Sequence, residues 1–135
     1  MTLVIDASLA LVWCLPAEQT PRTDELFDAV LDAGAYVTAI WRYEIAHGLL
    51  RAERRRRTIE SDTLRSLELL AGLRLEVDLE HTELASSVVL NIAREHGLTV
   101  YDASYLELAM RLSLPLGTND GPLAEAARKA GVEVL

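Results

Sequence analysis

The spacing of hydrophobic positions changes period several times along the chain, and each change marks an element. Leu3, Val4 and Ile5 form an apolar, partly β-branched run, the pattern of a strand buried on both faces. Asp6 follows at once, and Ala7, Leu9, Ala10, Leu11, Val12 and Trp13 then read as a helix with little polar surface. Thr20 and Pro21 predict a helix N-cap and first helical residue. Leu26, Phe27, Val30 and Leu31 give that helix its apolar face, and Gly34 its stop. Residues 36–38 read as a second short strand. A long helix is predicted over residues 41–57, buried along Trp41, Ile45, Leu49 and Leu50, with Glu44 beside that stripe.

Ser61 or Thr58 is predicted to cap the next helix, with Leu64, Leu67, Leu70 and Ala71 inward. Leu73, Leu75, Val77 and Leu79 alternate with Arg74, Glu76 and Asp78, which says half-buried strand at a sheet edge. Thr82 opens another helix, whose core face is Ala85, Val88, Val89, Ile92 and Ala93 and whose stop is Gly97. Asp102 reads as the cap of a helix holding Leu106, Ala109 and Met110. Residues 114–117 give a fourth strand, Thr118-Asn119-Asp120-Gly121 a turn, residues 122–130 a helix and residues 132–135 a last strand. Strands alternate with helices throughout, so the expected fold is α/β, a parallel sheet with helices on both faces. The wholly apolar first strand should be central and the alternating strand around Leu75–Val77 an edge.

Length and charge narrow the class. The 135 residues suit one domain over 1–135. Half the residues are hydrophobic and a quarter charged, as in ordinary globular proteins. Cys14 is the single cysteine, so no internal disulfide can form, and a cytoplasmic location is expected. Asp6 interrupts the N-terminal apolar run with no basic stretch before it, which argues against a secretory leader. No apolar run has the length of a membrane span. The net charge of −8 excludes a general nucleic-acid coat. It is unevenly spread: residues 51–57 hold five arginines and one glutamate, or +4, which leaves −12 for the remainder.

Four acids stand at element ends. Asp6 ends the first strand, Glu44 lies in the first turns of the helix after the second, Asp102 precedes a helix leading to the fourth strand, and Asp120 follows that strand. A parallel sheet can gather such ends on one edge, where α/β folds bind ligands. Crowded carboxylates raise one another's pKa unless a cation neutralises them. No lysine lies near these positions in sequence, and Lys129 is the only lysine in the chain. A hard divalent ion, Mg²⁺ or Mn²⁺, is the natural partner of oxygen donors, and zinc is disfavoured without His or Cys in the set. Such a site suits phosphodiester hydrolysis. The bland alternative is four unrelated caps and surface acids; Asp is a favoured N-cap.

The motifs carry a resemblance. Val4-Ile5-Asp6-Ala7-Ser8 resembles the opening of the PIN-domain nucleases, and Arg42-Tyr43-Glu44-Ile45-Ala46 their second motif. The stretch from Leu98 through Asp102 to Leu106 is similar to their third, and that from Leu116 through Thr118 and Asp120 to Leu123 to their fourth. The ordered set covers the whole chain and most resembles VapC, the toxin half of a type II toxin–antitoxin pair. The resemblance implies a Mg²⁺-dependent endoribonuclease with strand order 3-2-1-4-5. It implies Asp6 and Asp102 as principal metal ligands, with Glu44 and Asp120 completing the catalytic acids, often through water. Thr118 matches a hydroxyl that hydrogen-bonds within the site, and Ser8 either does the same or caps. The implied partners are an RNA substrate and a VapB-like antitoxin, whose inserted Arg or Lys would meet the acidic pocket, and a homodimer is expected.

Three features stay open on sequence. His47 stands where many relatives carry Asn, and on an apolar helix it reads as a packing residue. Arg54, Arg55 and Arg56 are either a solvated helix end or a contact to RNA phosphates. Trp13, Trp41, Tyr101 and Tyr105 read as core or dimer packing rather than base-stacking platforms. Two rival functions remain: a catalytically silent PIN-like module that only binds RNA or a partner, and a phosphoaspartate enzyme of the HAD or receiver type. The HAD type needs an acid two residues after Asp6, where Ser8 stands; the receiver type needs an acidic pair and a late lysine.

Overall fold

The computed structural model describes residues 2–135, His81 by its backbone alone. In chain order the elements are β1 (Val4–Ile5), α1 (Ala7–Cys14), α2 (Pro21–Ala33), β2 (Ala35–Thr38), α3 (Trp41–Arg54) and α4 (Glu60–Ala71). Then come β3 (Leu75–Asp78), α5 (His81–Leu84), a π-helical segment (Ala85–Val89), α6 (Leu90–His96), α7 (Val100–Leu112), β4 (Leu116–Gly117) and α8 (Gly121–Lys129). The sheet is parallel, in the order β3-β2-β1-β4. β1 is interior, with Val4 paired to Tyr36 on one side and Leu116 on the other, and β3 is an edge, as their apolar patterns predict.

Among the described residues only four strands form. The strand predicted over 132–135 shrinks to a single bridge at Val134, parallel to Leu116, held by Leu116 N to Glu133 O (2.8 Å) and Leu135 N to Leu116 O (3.0 Å). The bridge sits on the free side of β4, in the fifth place of the expected order. With only two residues, β4 offers too short a template for a full partner.

Helix ends differ from expectation in instructive ways. Thr20 and Thr23 form a reciprocal capping box at the start of α2, as the Thr-Pro signal predicts. Asp102, however, is not the cap of α7: Thr99 is, its hydroxyl accepting the Asp102 N–H at 3.1 Å. Neither Ser61 nor Thr58 caps α4, which starts after Ile59 without a side-chain cap. Thr82 does not open α5, which begins at His81; its hydroxyl donates back to Leu79 O. α3 stops at Arg54, three residues early, and Arg56 takes a left-handed φ of 58° as the chain turns away.

The apolar faces are narrower than predicted. The inward stripe of α3 is Trp41, Ile45, Leu49 and Ala52, and Leu50, a further 100° round the helix, is exposed. On α4 only Leu70 is buried, and Leu64 and Leu67 face outward. Leu31, Val88 and Met110 are exposed as well. By contrast α7 is buried at every position from 103 to 109, because it lies against β1 and β2 and is covered by α6, α8 and the π-helical segment. A second group of helices, α2, α3 and α4, gathers round α1. Trp13 joins α1 to α2 there, donating Nε1–H to Thr23 O at 2.8 Å and meeting Phe27 edge-on.

A charged clamp ties α7 to the edge strand. Arg111 donates to Glu107 Oε1 (2.7 Å), to Asp78 Oδ2 (2.6 Å) at the end of β3, and to Glu80 Oε2 (3.2 Å). Glu107 and then Asp78 raise the pKa of its guanidinium. The Glu107 side chain is only 5% exposed, so removing its cation strands a desolvated carboxylate. Arg111→Ala should therefore cost about 2–3 kcal/mol, below the fully buried range because the guanidinium is a quarter exposed. Adding Glu107→Leu should recover part of the loss; chemical denaturation of the single and double variants checks both.

Candidate active site

The carboxyl ends of β1 and β4 bring the site together. Asp6 leaves β1 as the N-cap of α1, its Oδ1 accepting the Leu9 N–H at 3.1 Å. The cap and site readings of Asp6 both hold, since the same carboxylate also lines a cleft of about 600 Å³. Two hydroxyls steady it. Ser8 Oγ donates to its two oxygens at 2.8 and 2.9 Å, and Thr118 Oγ1 donates to Oδ2 at 2.6 Å. Each hydroxyl is itself fed by a backbone amide of the turn after β4: Asn119 N–H donates to Ser8 (2.9 Å) and Asp120 N–H to Thr118 (3.0 Å). These two short relays hold the turn against Asp6 across the sheet.

Glu44, Asp102 and Asp120 line the same cleft. Glu44, in the first turn of α3, accepts the Tyr105 hydroxyl proton at 2.6 Å. Asp102 stands in the first turn of α7 and Asp120 caps α8 through the Leu123 N–H at 2.9 Å. All four predicted acids thus converge.

Burial dominates their electrostatics, and mutual repulsion adds to it. Burial pushes Asp6 up to about 6, against the lowering effect of Thr118, Leu9 and Ser8, and Asp102 adds repulsion. Glu44 is raised by burial, opposed by the Tyr105 hydrogen bond, with Asp102 again repelling it. Asp102 is raised by burial and then by Asp120, with Thr99 opposing. Tyr105 is raised by burial and by Glu44, and keeps its proton to donate. Each repulsion within the set involves Asp102.

The donor set is all oxygen, which fits a hard divalent ion. Among the described residues no three His, Cys, Asp or Glu side chains stand close enough to hold an ion by themselves. Mg²⁺ keeps several waters and takes one or two carboxylates. Asp6 and Asp102 are the pair that could provide them.

The cleft also contains residues that sequence reasoning misjudged. Tyr105 is fully buried, as expected of a packing residue, yet its hydroxyl reaches Glu44. Its place three residues after Asp102 was the available signal, since i and i+3 share a helix face. His47 is not packed: it is exposed on the cleft wall. Tyr101 is neither core nor buried, being 58% exposed at the cleft, whereas Trp13 and Trp41 are core. Arg51 lines the cleft, and Arg54, Arg55 and Arg56 lie beyond it, exposed at the end of α3.

The raised Asp6 gives a signed pH dependence. An acid whose folded pKa lies above its unfolded 3.8 stabilises the ion-free fold most below that value and loses the contribution as pH rises through about 6. The loss amounts to about 3 kcal/mol for Asp6. Wild type and Asp6→Asn should be melted in EDTA from acid to neutral pH. The wild type should fall relative to the variant across this window; parallel curves would show that Asp6 is not penalised by burial.

Comparison with known proteins fits this geometry. Residues 3–129 match the family described as PIN domain. A curated relative, Ribonuclease VapC3 of Pyrobaculum aerophilum, is 28% identical over 125 residues, 93% of this chain and 94% of its own length. The crystal structure of PAE2754 from Pyrobaculum aerophilum superposes with a TM-score of 0.69 at 25% identity, covering 93% of this chain and 86% of the other. With the family match running from the first strand to the last helix, over the span that carries all four acids, the chain belongs to the PIN-domain family.

Proposed function

We propose that this protein is a VapC-type toxin, an endoribonuclease that hydrolyses RNA phosphodiester bonds with Mg²⁺, or Mn²⁺ in its place. The observation that carries the reading is the convergence of four carboxylates from four element ends on one cleft, with raised pKa values on three of them. The name of the relative, a VapC ribonuclease, supports the same reaction. When bound, the ion lowers the pKa of water and offsets the charge that develops on the phosphate. Asp6 and Asp102 would hold it, and Glu44 and Asp120 would orient water around it. Asp6 is kept in one orientation by Leu9, Ser8 and Thr118. Tyr105 occupies Oε1 of Glu44, which leaves Oε2 without a hydrogen-bond partner among the described residues and available to take a proton from water.

A VapB-like antitoxin and a homodimer belong to the same proposal. An antitoxin Arg would satisfy the acids bidentately. Among the described residues no helix is long and apolar enough to cross a membrane. Lys129 pairs with Glu125 at the far end of α8, which does not serve a receiver-type reaction at Asp6.

Asp102→Asn tests the shared site directly. Because Thr99 caps α7, the change leaves the helix start intact and removes the charge common to the repulsions. The variant should melt a few degrees higher in EDTA, about 1 kcal/mol of relief, and gain less from Mg²⁺ than wild type does. RNA cleavage should fall by orders of magnitude. Unchanged melting in both conditions with activity intact would defeat the metal-nuclease reading.

The exposed Arg54, Arg55 and Arg56 are proposed to draw RNA toward an otherwise acidic surface. Changing all three to Ala should raise KM and flatten the salt dependence, by somewhat under one unit of log–log slope per lost phosphate contact. An unchanged slope would return them to a solvated helix end.

A further inference from the structure

Among the described residues α2 supplies none of those lining the cleft. Yet Arg22, the second residue of α2, reaches the turn after β4. Its Nη2 donates to Thr118 O at 2.9 Å, across 96 positions of sequence. Its Nε donates to Leu135 O at 3.0 Å, and Nη2 shares that acceptor. A cation in the first turn of a helix opposes the helix dipole, so α2 itself gains nothing from a charge there. The cap of α2 is already made by Thr20 and Thr23.

The peptide group that receives Arg22 belongs to a directed chain. Thr118 O and Asn119 N–H are the two ends of one planar amide. Asn119 N–H donates to Ser8 Oγ at 2.9 Å, and Ser8 Oγ donates to the two Asp6 oxygens at 2.8 and 2.9 Å. Chemistry fixes the direction. A guanidinium and an amide N–H only donate, and a carbonyl and an ionised carboxylate only accept. Ser8 alone of these groups does both, so it accepts from Asn119 and turns its proton to Asp6. Hydrogen bonds in series polarise one another. Arg22 draws electron density onto Thr118 O, which makes Asn119 N–H a stronger donor, and Ser8 in its turn. Arg22 is exposed, so water screens its direct attraction to Asp6, and the bonded chain carries its effect.

We infer that Arg22 is a positioning residue of the site, which acts through the 118–119 peptide and Ser8 to hold the Asp6 carboxylate in its orientation at the cleft. Its effect on cleavage rests on the ribonuclease reading, whereas the chain itself is read in the ion-free protein. The full-length protein is compared with Arg22→Leu, the polar but uncharged Arg22→Gln, Arg22→Lys, Ser8→Ala, and Arg22→Leu combined with Ser8→Ala.

In EDTA, the Asn119 amide proton should move upfield in Arg22→Leu and Arg22→Gln. It should stay near its wild-type position in Arg22→Lys, which keeps a charged donor. With Mg²⁺, each uncharged variant should lower kcat on RNA about 10-fold, the low end for outer partners of a metal ligand. KM should not change, and Arg22→Lys should recover most of the loss. In the Ser8→Ala background the loss should shrink to about twofold, because residues in one network couple. Melting temperatures confirm folding, and Arg22→Gln gives the reading if Arg22→Leu does not fold. An Asn119 amide proton unmoved in the uncharged variants would overturn the inference, as would a Lys variant as impaired as they are, or Arg22 and Ser8 losses that simply multiply. A raised KM with a flatter salt dependence would also overturn it, making Arg22 a phosphate contact. If the uncharged variants keep full kcat while wild type cleaves RNA, this inference fails and the nuclease reading stands. If wild type cleaves nothing with Mg²⁺ and the amide proton still moves as described, the nuclease reading fails and the Arg22 chain stands.

Discussion

A single buried carboxylate, Asp6, constrains much of the structure around it. It is 3% exposed and meets no cation among the described residues, which is a costly state for an acid. The chain offsets part of that cost with donors: one helix N–H and two hydroxyls. Those hydroxyls belong to α1 and to the residue after β4, so solvating Asp6 also joins the first and last strands of the sequence motif. The parallel pairing of Ile5 with Gly117 makes this possible by bringing the two strand ends level.

The rest of the site is positioned by α7. Its buried stretch from 103 to 109 fixes the helix against β1 and β2, and that anchoring sets where Asp102 and Tyr105 project. Tyr105 then takes hold of Glu44 on α3, so two helices from separate groups meet at one hydrogen bond. The Arg111 clamp secures the other end of α7 to β3. Asp102 itself is only partly buried, which leaves the charge that repels the others open to water and to ions. Glu44 and Asp120 are partly buried too, so Asp6 alone of the four acids is closed off from solvent.

The cleft wall is organised by different forces. Tyr43, His47 and Arg51 lie on α3 outside the stripe Trp41, Ile45, Leu49 and Ala52 that holds the helix to the core. Packing therefore leaves them exposed on the cleft wall, while Glu44, one residue from Tyr43, is held by Tyr105. One helix thus presents a fixed acid and an adaptable wall within the same two turns.

Local pattern alone determined the element order, the central place of β1, the edge position of β3, and the four acids at element ends. Those features depend on residue spacing within a few positions, where hydrophobic period and strand-to-helix junctions act. The four-strand sheet, the exposed Leu50, Leu64 and Leu67, and the burial of α7 on nearly all sides were decided by which elements come to lie together. So were the cap on α7, where Thr99 and Asp102 compete and either residue type caps well, and the pairing of Glu44 with Tyr105, 61 residues apart. The placing of Tyr101, His47 and Arg51 on one cleft likewise needed the fold, because spacing on one helix cannot say what the neighbouring helix leaves uncovered.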